Sequence, residues 1–250
     1  MRIYSNAYEL MSETGRNLWE MGLEVKPKTY QNQIIEDNDD FVTKELICEQ
    51  YCLTHLDDAN WLFIHTNSQD WAHAELEERL NPFPINPGEA WKLRKDVWEQ
   101  FLVKDLVNGV KFDYTYSERM YYVIEPLIEL LIEDHDTRKA VLPIFNGSIN
   151  DVDTKYYDGS KRIPCSMYYD FLIRKNANGE EQLNICYHQR SSDFITHFGN
   201  DVYLAWFTMV YIANRVKVKP GYLYHTIDSL HSYKKDWGKL KSSISEMKRR

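Results

Sequence analysis

The stretch "SMYYDFLIRKNANGEEQLNICYHQ", residues 166–189, is the most informative about the fold, because it contains two strand patterns joined by a turn signal. Residues 166–175 and 182–189 are short runs rich in aromatic and β-branched side chains, which is typical of strands. The dipeptide Asn178-Gly179 between them favours a hairpin turn. We therefore expect two strands here, paired as a hairpin.

Further strand and helix patterns surround this hairpin. We expect more strands at residues 139–145 and 220–233, and a helix from about 201 to 215, where an apolar run of helical length occurs. The first half looks mainly helical. Helices are predicted at 4–21, 41–53, 89–107 and 119–134, and a proline-rich loop at 81–91. In the 119–134 helix, the first turns are expected to end near Pro126. No repeat or low-complexity linker divides the chain, so residues 1–250 are predicted to form a single α/β domain with strands concentrated in the second half.

The composition limits the classes of function. The chain has 250 residues, 43% of them hydrophobic, and a formal charge of −8, so we expect a packed core and no direct nucleic-acid binding. No signal peptide opens the sequence and no apolar run reaches the roughly 18 residues that a bilayer requires, so we expect no membrane association and a cytoplasmic location. The four cysteines form no CxxC pair and Cys48 and Cys52 have no matching ligand pair nearby, so we expect no metal.

Cys165 and the segment around Arg190 are the first candidates for chemistry. Cys165 follows a proline at the start of a strand pattern; it could be a small buried hydrophobic residue or a nucleophile. Arg190 and Ser191 at the end of the next strand pattern could together bind a phosphate, because a guanidinium and a hydroxyl donate to an oxyanion. A nearby cation also lowers the pKa of a thiol, and the thiolate is the attacking species.

Several motifs in sequence order resemble the thymidylate synthase superfamily. They are "RIPCSMYYDFLI" (162–173), "YHQRSSDF" (187–194), the apolar helix, and "KPGYLYHTIDSLHSY" (219–233). The family patterns are approximately P-C-H, Q-R-S-C-D, K-P-G and H-T-x-G-D-x-H-x-Y. The resemblance implies a three-layer α+β fold built on a large mixed β-sheet, which dimerises back to back through the sheet with shared active sites.

The resemblance also implies roles for individual residues. Cys165 matches the nucleophile and Glu45, in "TKELICEQ", matches the catalytic glutamate of a helix; Glu45 could instead be an ordinary surface charge of that helix. The residues that match substrate- and folate-binding positions are Arg190 and Ser191 (phosphate), His231 and Tyr233 (deoxyribose 3′-hydroxyl), Asp193 (folate pterin), Lys28 (an N-terminal arginine), Tyr114 (near a Y-G-x-x-W motif), and Arg138 and Lys139 (phosphate of the partner subunit). Arg138 and Lys139 could also belong to a solvated turn.

Asp201 is where the sequence departs from the synthases. They have an asparagine at the matching position, whose amide pairs with uracil, whereas an aspartate suits the exocyclic amine and ring nitrogen of cytosine. The segments "NDVYLAW" and "SLHSY" also resemble the bacteriophage deoxycytidylate (dCMP) hydroxymethylases. The alternative is that Asp201 only caps the following helix.

Taken together, the resemblance implies a folate-dependent hydroxymethyltransferase. It would convert dCMP to 5-hydroxymethyl-dCMP with 5,10-methylenetetrahydrofolate and water, through a cysteine adduct at pyrimidine carbon 6. A thymidylate synthase or other methylase acting on dUMP or dCMP, and a non-catalytic nucleotide-binding relative, are the alternatives. If a phage encodes the protein, its location would be the cytoplasm of the host.

Overall fold

The computed structural model describes residues 1–30, 33–65, 68–107, 109–146 and 162–247. The helices in these ranges are α1 (Ala7–Met21), α2 (Gln69–Arg79), α3 (Lys95–Trp98), α4 (Tyr116–Glu133), α5 (Gly199–Val216) and α6 (Trp237–Met247). The strands are β1 (Arg2–Tyr4), β2 (Leu23–Val25), β3 (Thr29–Tyr30), β4 (Gln33–Ile34), β5 (Thr43–Leu53), β6 (Val103–Asp105), β7 (Gly109–Lys111), β8 (Val141–Pro143), β9 (Ser166–Lys175), β10 (Glu181–Asp193) and β11 (Lys219–Tyr233). No helix of the described chain combines the length and the apolar character that a membrane crossing requires.

A seven-stranded sheet forms the centre of the molecule. Its order is β1-β5-β11-β10-β9-β8, and β2 pairs with the beginning of β5. The pairs β1–β5 and β10–β11 are parallel, whereas β5–β11, β9–β10 and β8–β9 are antiparallel. The large mixed sheet expected from the sequence is therefore confirmed.

Strands β9 and β10 form the predicted hairpin. Its turn is closed by the Asn176 side chain, whose Oδ1 accepts from the backbone N–H groups of Asn178 at 2.9 Å and Glu180 at 3.0 Å. Gly179 has a φ of 79°, a left-handed conformation that glycine adopts without a clash at Cβ. The turn therefore sets the antiparallel register that begins at Lys175 and Glu181.

Helix α5 confirms the helix predicted from about 201 to 215. It packs on β10 and β11. The residues it buries include Val202, Leu204, Ala205, Met209, Ile212 and Ala213. A π-helical turn, Phe194–Phe198, joins β10 directly to α5. This short connection brings the first turn of α5, and with it Asp201, next to the end of β10.

The helix predicted at residues 41–53 is wrong, because Thr43–Leu53 is strand β5. This strand lies inside the sheet, with β11 on one side and β1 and β2 on the other. Tyr51, Cys52 and Leu53 are all buried, so this end of the strand lacks the alternation of polar and apolar residues that marks a one-sided strand. Pairing along most of its length with β11 outweighs the weak helical pattern. Glu45 accordingly lies on a strand and not on a helix.

Two further helix predictions need correction. Residues 89–107 do not form one helix: Ala90–Arg94 and Glu99–Phe101 are 3-10 turns on either side of α3, and β6 follows. Helix α4, in contrast, continues through Pro126 without ending there. Its start is fixed by a capping box between Thr115 and Glu118, and its apolar face is buried, so packing offsets the hydrogen bond that the proline removes.

A row of buried side chains crosses the helix-covered face of the sheet. In cross-strand register these are Leu142, Tyr169, Tyr187, His225 and Tyr51. The ring centroids of Tyr169 and Tyr187 are 4.4 Å apart, and those of Tyr187 and His225 are 4.3 Å apart, with the rings nearly parallel in both pairs. Because His225 is buried and polar, both of its ring nitrogens need hydrogen-bond partners.

Candidate active site

Cys165 lies immediately before β9, where the neighbouring strand supports it through Arg190. The Arg190 guanidinium donates from Nε to the carbonyl of Pro164 and from Nη2 to the carbonyl of Ile163, both at 2.9 Å. The backbone N–H of Arg190 donates to the Cys165 carbonyl at 2.8 Å, and Nη2 lies 3.9 Å from Cys165 Sγ. Arg190 therefore fixes the loop that carries the thiol, and this is a role that the sequence did not indicate.

The thiol of Cys165 is not activated in this state of the protein. Burial raises its pKa, and the Asp201 carboxylate raises it further, whereas Arg190 and Arg162 lower it. Arg190 thus has the predicted effect, but burial outweighs it. The thiol is mainly protonated at neutral pH.

Asp201 lies in the first turn of α5 and does not cap that helix. The residue at the N-cap position is Phe198, which makes no side-chain cap. Asp201 Oδ2 instead accepts from Gln189 Nε2 and from Ser192 Oγ, both at 2.7 Å. The capping alternative is therefore wrong, and the carboxylate is held by β10 from the side of the sheet.

The Asp201 carboxyl has an unusually high pKa. Burial raises it to about 6, although hydrogen bonds from Gln189 and Ser192 and the charges of Arg79 and Arg94 lower it. The carboxyl therefore gains a proton just below neutral pH. Raised carboxyl pKa values of this kind are frequent at functional sites.

Three of the predicted residues meet across the ends of neighbouring strands. His231 on β11 is the register partner of Asp193 on β10 and of Glu45 on β5. Asp193 Oδ1 accepts from the backbone N–H of Ile195 at 3.1 Å and so caps the π-helical turn. Ser191 lies two residues before Asp193 on β10, is half-buried, and is the register partner of Ser229.

The sugar-binding pair predicted by the resemblance is also adjacent in space. The rings of His231 and Tyr233 are 5.1 Å apart in an edge-to-face arrangement. His231 also lies close enough to His197 to contribute to the low pKa of that histidine, which is about 3 and is lowered chiefly by burial and then by Arg94. These contacts bring the end of β11 next to the π-helical turn that precedes α5.

Tyr114 lies in an aromatic pocket beside the Cys165 loop. Arg162 donates to the Tyr114 carbonyl at 3.2 Å, and its guanidinium carbon is 4.8 Å from the Tyr114 ring centroid. The indoles of Trp71 and Trp98 stack in the same pocket with centroids 5.8 Å apart. Tyr116 links this pocket to the Cys165 loop, because its hydroxyl accepts from the backbone N–H of Ser166 at 3.3 Å.

Arg79 is a buried cation in this pocket that the sequence analysis missed. Its Nε donates to Glu75 at 2.7 Å, and its guanidinium carbon lies 3.9 Å from the Tyr116 ring centroid. Gln189, Ser192 and Arg162 were missed as well. The first two flank Arg190-Ser191 and Arg162 lies in "RIPC", so the same motifs contained them, but only their contacts give them a role.

The remaining predicted residues lie outside this cluster. The Lys28 side chain is 80% exposed, and its Nζ is 3.3 Å from Glu36 Oε1 on the same surface segment. Arg138 and Lys139 are exposed in the connection between α4 and β8. No group of three His, Cys, Asp or Glu side chains in the described ranges is arranged to bind a metal ion.

Comparison with known proteins agrees with this geometry. Residues 66–250 match the family model described as thymidylate synthase. The chain belongs to the thymidylate synthase family. As a member of the thymidylate synthase family it is a one-carbon transferase that acts on nucleotides, and the resemblance carried by the Cys165, Arg190 and His231 motifs is confirmed.

Archaeal proteins are among the relatives of this thymidylate synthase-family chain. A protein of Methanosarcina acetivorans named "Putative thymidylate synthase" is 29% identical over 173 residues, which is 66% of this chain and 74% of the relative. A protein of Methanosarcina mazei with the same name is 29% identical over 150 residues, 56% of this chain and 64% of the relative. One of Methanocaldococcus jannaschii, also so named, is 29% identical over 167 residues, 62% of this chain and 72% of the relative.

Proposed function

We propose that this chain is a folate-dependent dCMP hydroxymethylase, which converts dCMP to 5-hydroxymethyl-dCMP with 5,10-methylenetetrahydrofolate and water. The observation that carries the proposal is that Asp201 and Cys165 are both held around Arg190 of β10. Asp201 accepts from Gln189 and Ser192, which flank Arg190-Ser191, and the Arg190 guanidinium lies 3.9 Å from Cys165 Sγ. The thiol could then contact a pyrimidine ring at carbon 6 while the carboxyl contacts the edge that distinguishes cytosine from uracil.

The hydrogen bonds of Asp201 explain why that edge would be cytosine. Oδ2 already accepts from Gln189 and Ser192, and no described residue donates to Oδ1, so Oδ1 is the oxygen that can meet the base. A charged Oδ1 accepts from the amine at position 4 of cytosine, and a protonated Oδ1 donates to the ring nitrogen at position 3. Opposite the position-4 carbonyl of uracil, the same carboxylate oxygen would meet a second acceptor, and both would lose a hydrogen bond.

Cys165 would act as a covalent catalyst. Its thiolate would add to carbon 6, which makes carbon 5 nucleophilic, and methylenetetrahydrofolate when bound supplies the one-carbon unit. Because burial and Asp201 both raise the thiol pKa, the thiol would have to lose its proton before or as it adds to carbon 6. Glu45, the cross-strand partner of His231, would orient the water that adds to the one-carbon group.

The phosphate and the sugar would be bound at the strand ends. Nε and Nη2 of Arg190 donate to main-chain carbonyls, so Nη1 is the donor left for a phosphate oxygen, with the Ser191 hydroxyl beside it on the strand. His231 and Tyr233 would donate to the deoxyribose 3′-hydroxyl. Arg138 and Lys139, exposed and on a separate connection, would reach the phosphate bound by a partner subunit.

The composition of the aromatic pocket supports the proposal that it binds the ring system of a folate. The indole N–H groups of Trp71, Trp91 and Trp98 are buried without an acceptor among the described residues, and all three residues line this pocket. A pterin is flat and carries several acceptor atoms, so it can stack on the indoles and accept from them. Tyr114 belongs to the same lining, and Asp193 lies at the end of β10 that faces the π-helical turn.

The sheet face opposite the helices suits the proposed homodimer. A row in cross-strand register runs from Ile3 through Tyr224, Cys186 and Asp170 to Val141. Its two ends are exposed, Ile3 at 69% and Val141 at 40%. Cys52, which lies between Ile3 and Tyr224, is buried, and Tyr224, Cys186 and Asp170 are half-buried. A second copy packed back to back on this face would cover the exposed Ile3 and Val141 side chains and would bring its own Arg138 to the site. We place the enzyme in the cytoplasm, where free nucleotides occur, or in the host cytoplasm if a phage encodes it.

The alternative is a thymidylate synthase, which the names of the archaeal relatives favour. Purified protein should be incubated with methylenetetrahydrofolate and either dCMP or dUMP, and the product mass measured. We expect 5-hydroxymethyl-dCMP from dCMP and little conversion of dUMP. A methylated product, or turnover of dUMP alone, would assign a synthase; binding of nucleotide with no product from either would indicate a non-catalytic relative.

A further inference from the structure

A chain of buried hydrogen bonds runs along the helix-covered face of the sheet and connects Asp201 to Tyr51 on β5. Tyr51 Oη and His225 Nδ1 are 2.7 Å apart, and His225 Nε2 is 3.1 Å from Gln189 Oε1. Gln189 Nε2 then donates to Asp201 Oδ2 at 2.7 Å, where Ser192 Oγ also donates. The chain runs across β5, β11 and β10 to the first turn of α5.

The chemistry of the groups fixes the direction of every bond in this chain when Asp201 is charged. A carboxylate only accepts, so Gln189 must turn its NH₂ group towards Asp201 and its carbonyl oxygen towards His225. His225 must then carry its proton on Nε2 to donate to that oxygen. Nδ1 is left as an acceptor, and Tyr51 donates to it. One tautomer and one amide orientation satisfy the whole chain.

The reverse direction requires a neutral Asp201. If His225 carried its proton on Nδ1, Gln189 would have to donate to Nε2 and present its carbonyl oxygen to Asp201 Oδ2. Two acceptors would then face each other at 2.7 Å unless Oδ2 held a proton. Tyr51 opposes this arrangement, because its hydroxyl would lose its acceptor and no other described residue offers one.

We propose that Tyr51 and His225 are positioning residues, which act through Gln189 to keep Oδ2 of Asp201 occupied and Oδ1 directed at the base. The chain, and not Asp201 alone, would then set which oxygen carries the proton when the carboxyl is neutral. The importance of this for cytosine rests on the proposed function, but the chain itself can be measured without nucleotide.

The protonation states of the chain agree with this direction. Burial lowers the pKa of His225 to about 3, so the ring is neutral, and burial raises the pKa of Tyr51, so the hydroxyl keeps its proton. Both groups are therefore able to act as single donor and single acceptor at neutral pH. The other titratable or charged groups that interact with Asp201 are Arg79 on α2, Arg94 in the 3-10 turn, Cys165 before β9, Tyr169 on β9 and Tyr187 on β10.

The first test is the tautomer of His225 in the nucleotide-free protein, read from the ¹⁵N shifts of labelled histidine. We expect the Nε2–H tautomer in the wild type at pH 8, where Asp201 is charged. The Nδ1–H tautomer at this pH would overturn the proposal. This measurement needs no variant, so its result does not depend on whether a substitution disturbs folding.

The second test removes a single hydroxyl. In Tyr51→Phe nothing opposes the reverse direction, so the Nδ1–H tautomer of His225 should appear as Asp201 gains its proton. The Asp201 pKa, followed by carboxyl ¹³C shifts, should rise by up to about one pH unit because its donor is no longer fixed. The double variant Tyr51→Phe/Asp201→Asn should show no pH-dependent change of tautomer, since an asparagine amide does not gain or lose a proton in this range.

Tyr187→Phe is the matched control. Tyr187 stacks on the same histidine and is equally buried, but its hydroxyl bonds to Ser166 Oγ at 2.6 Å and not to His225. The tautomer and the Asp201 pKa should therefore stay at their wild-type values in this variant. Equal effects of the two hydroxyl deletions would show a general packing effect and overturn the proposal.

The tests of the hydrogen-bond chain can fail or succeed independently of the test of the proposed function. If dCMP is not a substrate but the tautomer and the pKa respond as expected, the hydrogen-bond chain stands and the base assignment fails. If dCMP is turned over and Tyr51→Phe changes neither quantity, the chain has no positioning role and the base assignment stands.

Discussion

Arg190 is linked to Cys165 by hydrogen bonds to the main chain as well as by the contact between its guanidinium and the sulfur. The guanidinium holds the main chain on the N-terminal side of Cys165 through the carbonyls of Pro164 and Ile163, and the Arg190 backbone binds the Cys165 carbonyl. The same side chain therefore positions the sulfur and lowers its pKa against the larger opposing effect of burial.

Arg190→Lys should reduce activity although it keeps the charge. A lysine cannot donate to two carbonyls and face the sulfur at once, and losing such charge-assisted bonds costs about 1.5–3 kcal/mol, or about ten- to a hundredfold in kcat/KM. The Cys165 pKa should also rise, measured from the pH dependence of its alkylation by peptide mass mapping. Arg174→Lys, on the same hairpin, is the control, and an equal loss in both variants would contradict the bracing role.

Cys165→Ser should abolish turnover while nucleotide binding persists. A serine hydroxyl is a far weaker nucleophile than a thiolate, but the groups proposed to bind phosphate and base remain. Turnover and calorimetric binding of dCMP are the measurements. Cys186→Ser, a half-buried cysteine on β10, should behave as the wild type. Substantial activity in Cys165→Ser would exclude the covalent mechanism.

The second half of the molecule was predictable from the sequence, and the reason is local. The hairpin turn at Asn176–Glu180 and the strand patterns beside it are set by short-range chemistry, so β9, β10 and α5 were expected close to where they lie. Strand β5 was not expected, because its conformation depends on pairing with β11, which lies far along the chain. A local sequence pattern does not show which distant strand will pair with this segment.

In the candidate site, too, the motifs were predictable from the sequence and the contacts between distant segments were not. Cys165, Arg190 and Asp201 stand in recognisable motifs and come together in space. The contacts that tune them come from elsewhere: Arg79 on α2 affects Asp201, and Arg162 stacks on Tyr114. The net direction of the thiol pKa could not be predicted for this reason, since burial is a property of the folded chain and no motif reports it.

Mixing two inactive variants should restore activity if the active site is shared. Cys165→Ser subunits lack the proposed nucleophile, and Arg138→Ala subunits lack the cation proposed to reach across the interface. A heterodimer contains one site with both groups intact, so partial activity should return after subunit exchange. Exchange is followed by native mass spectrometry. Confirmed exchange without recovery would show that Arg138 does not act on the partner's site, and Arg174→Ala in place of Arg138→Ala serves as the active control.

The stability of the protein should depend on pH through Asp201. Its folded-state pKa of about 6 is above the ordinary value of 3.8, so the stability that its protonated form contributes is present below 3.8 and is lost as pH rises through about 6. The wild type should therefore lose about 2.5 kcal/mol relative to Asp201→Asn between pH 4 and pH 8. Urea unfolding of both proteins across this range gives the difference, in which histidines such as His225 and His197 cancel. A difference that does not change with pH would refute the raised pKa.

Asp201→Asn should also change the choice of base. The asparagine oxygen can accept from Gln189 and Ser192 as Oδ2 does, and its NH₂ group would then occupy the position of Oδ1. A donor there clashes with the amine of cytosine and pairs with the carbonyl of uracil, so dCMP use should fall and dUMP use should rise. One buried pair of this kind is worth about 1–3 kcal/mol, or roughly one to two powers of ten in the ratio of kcat/KM values. The control is Ser192→Ala, which removes a donor to Oδ2 but leaves Oδ1 as an acceptor, and should weaken both substrates without reversing their order. An unchanged dCMP/dUMP ratio in Asp201→Asn would remove Asp201 from base recognition and favour the synthase alternative.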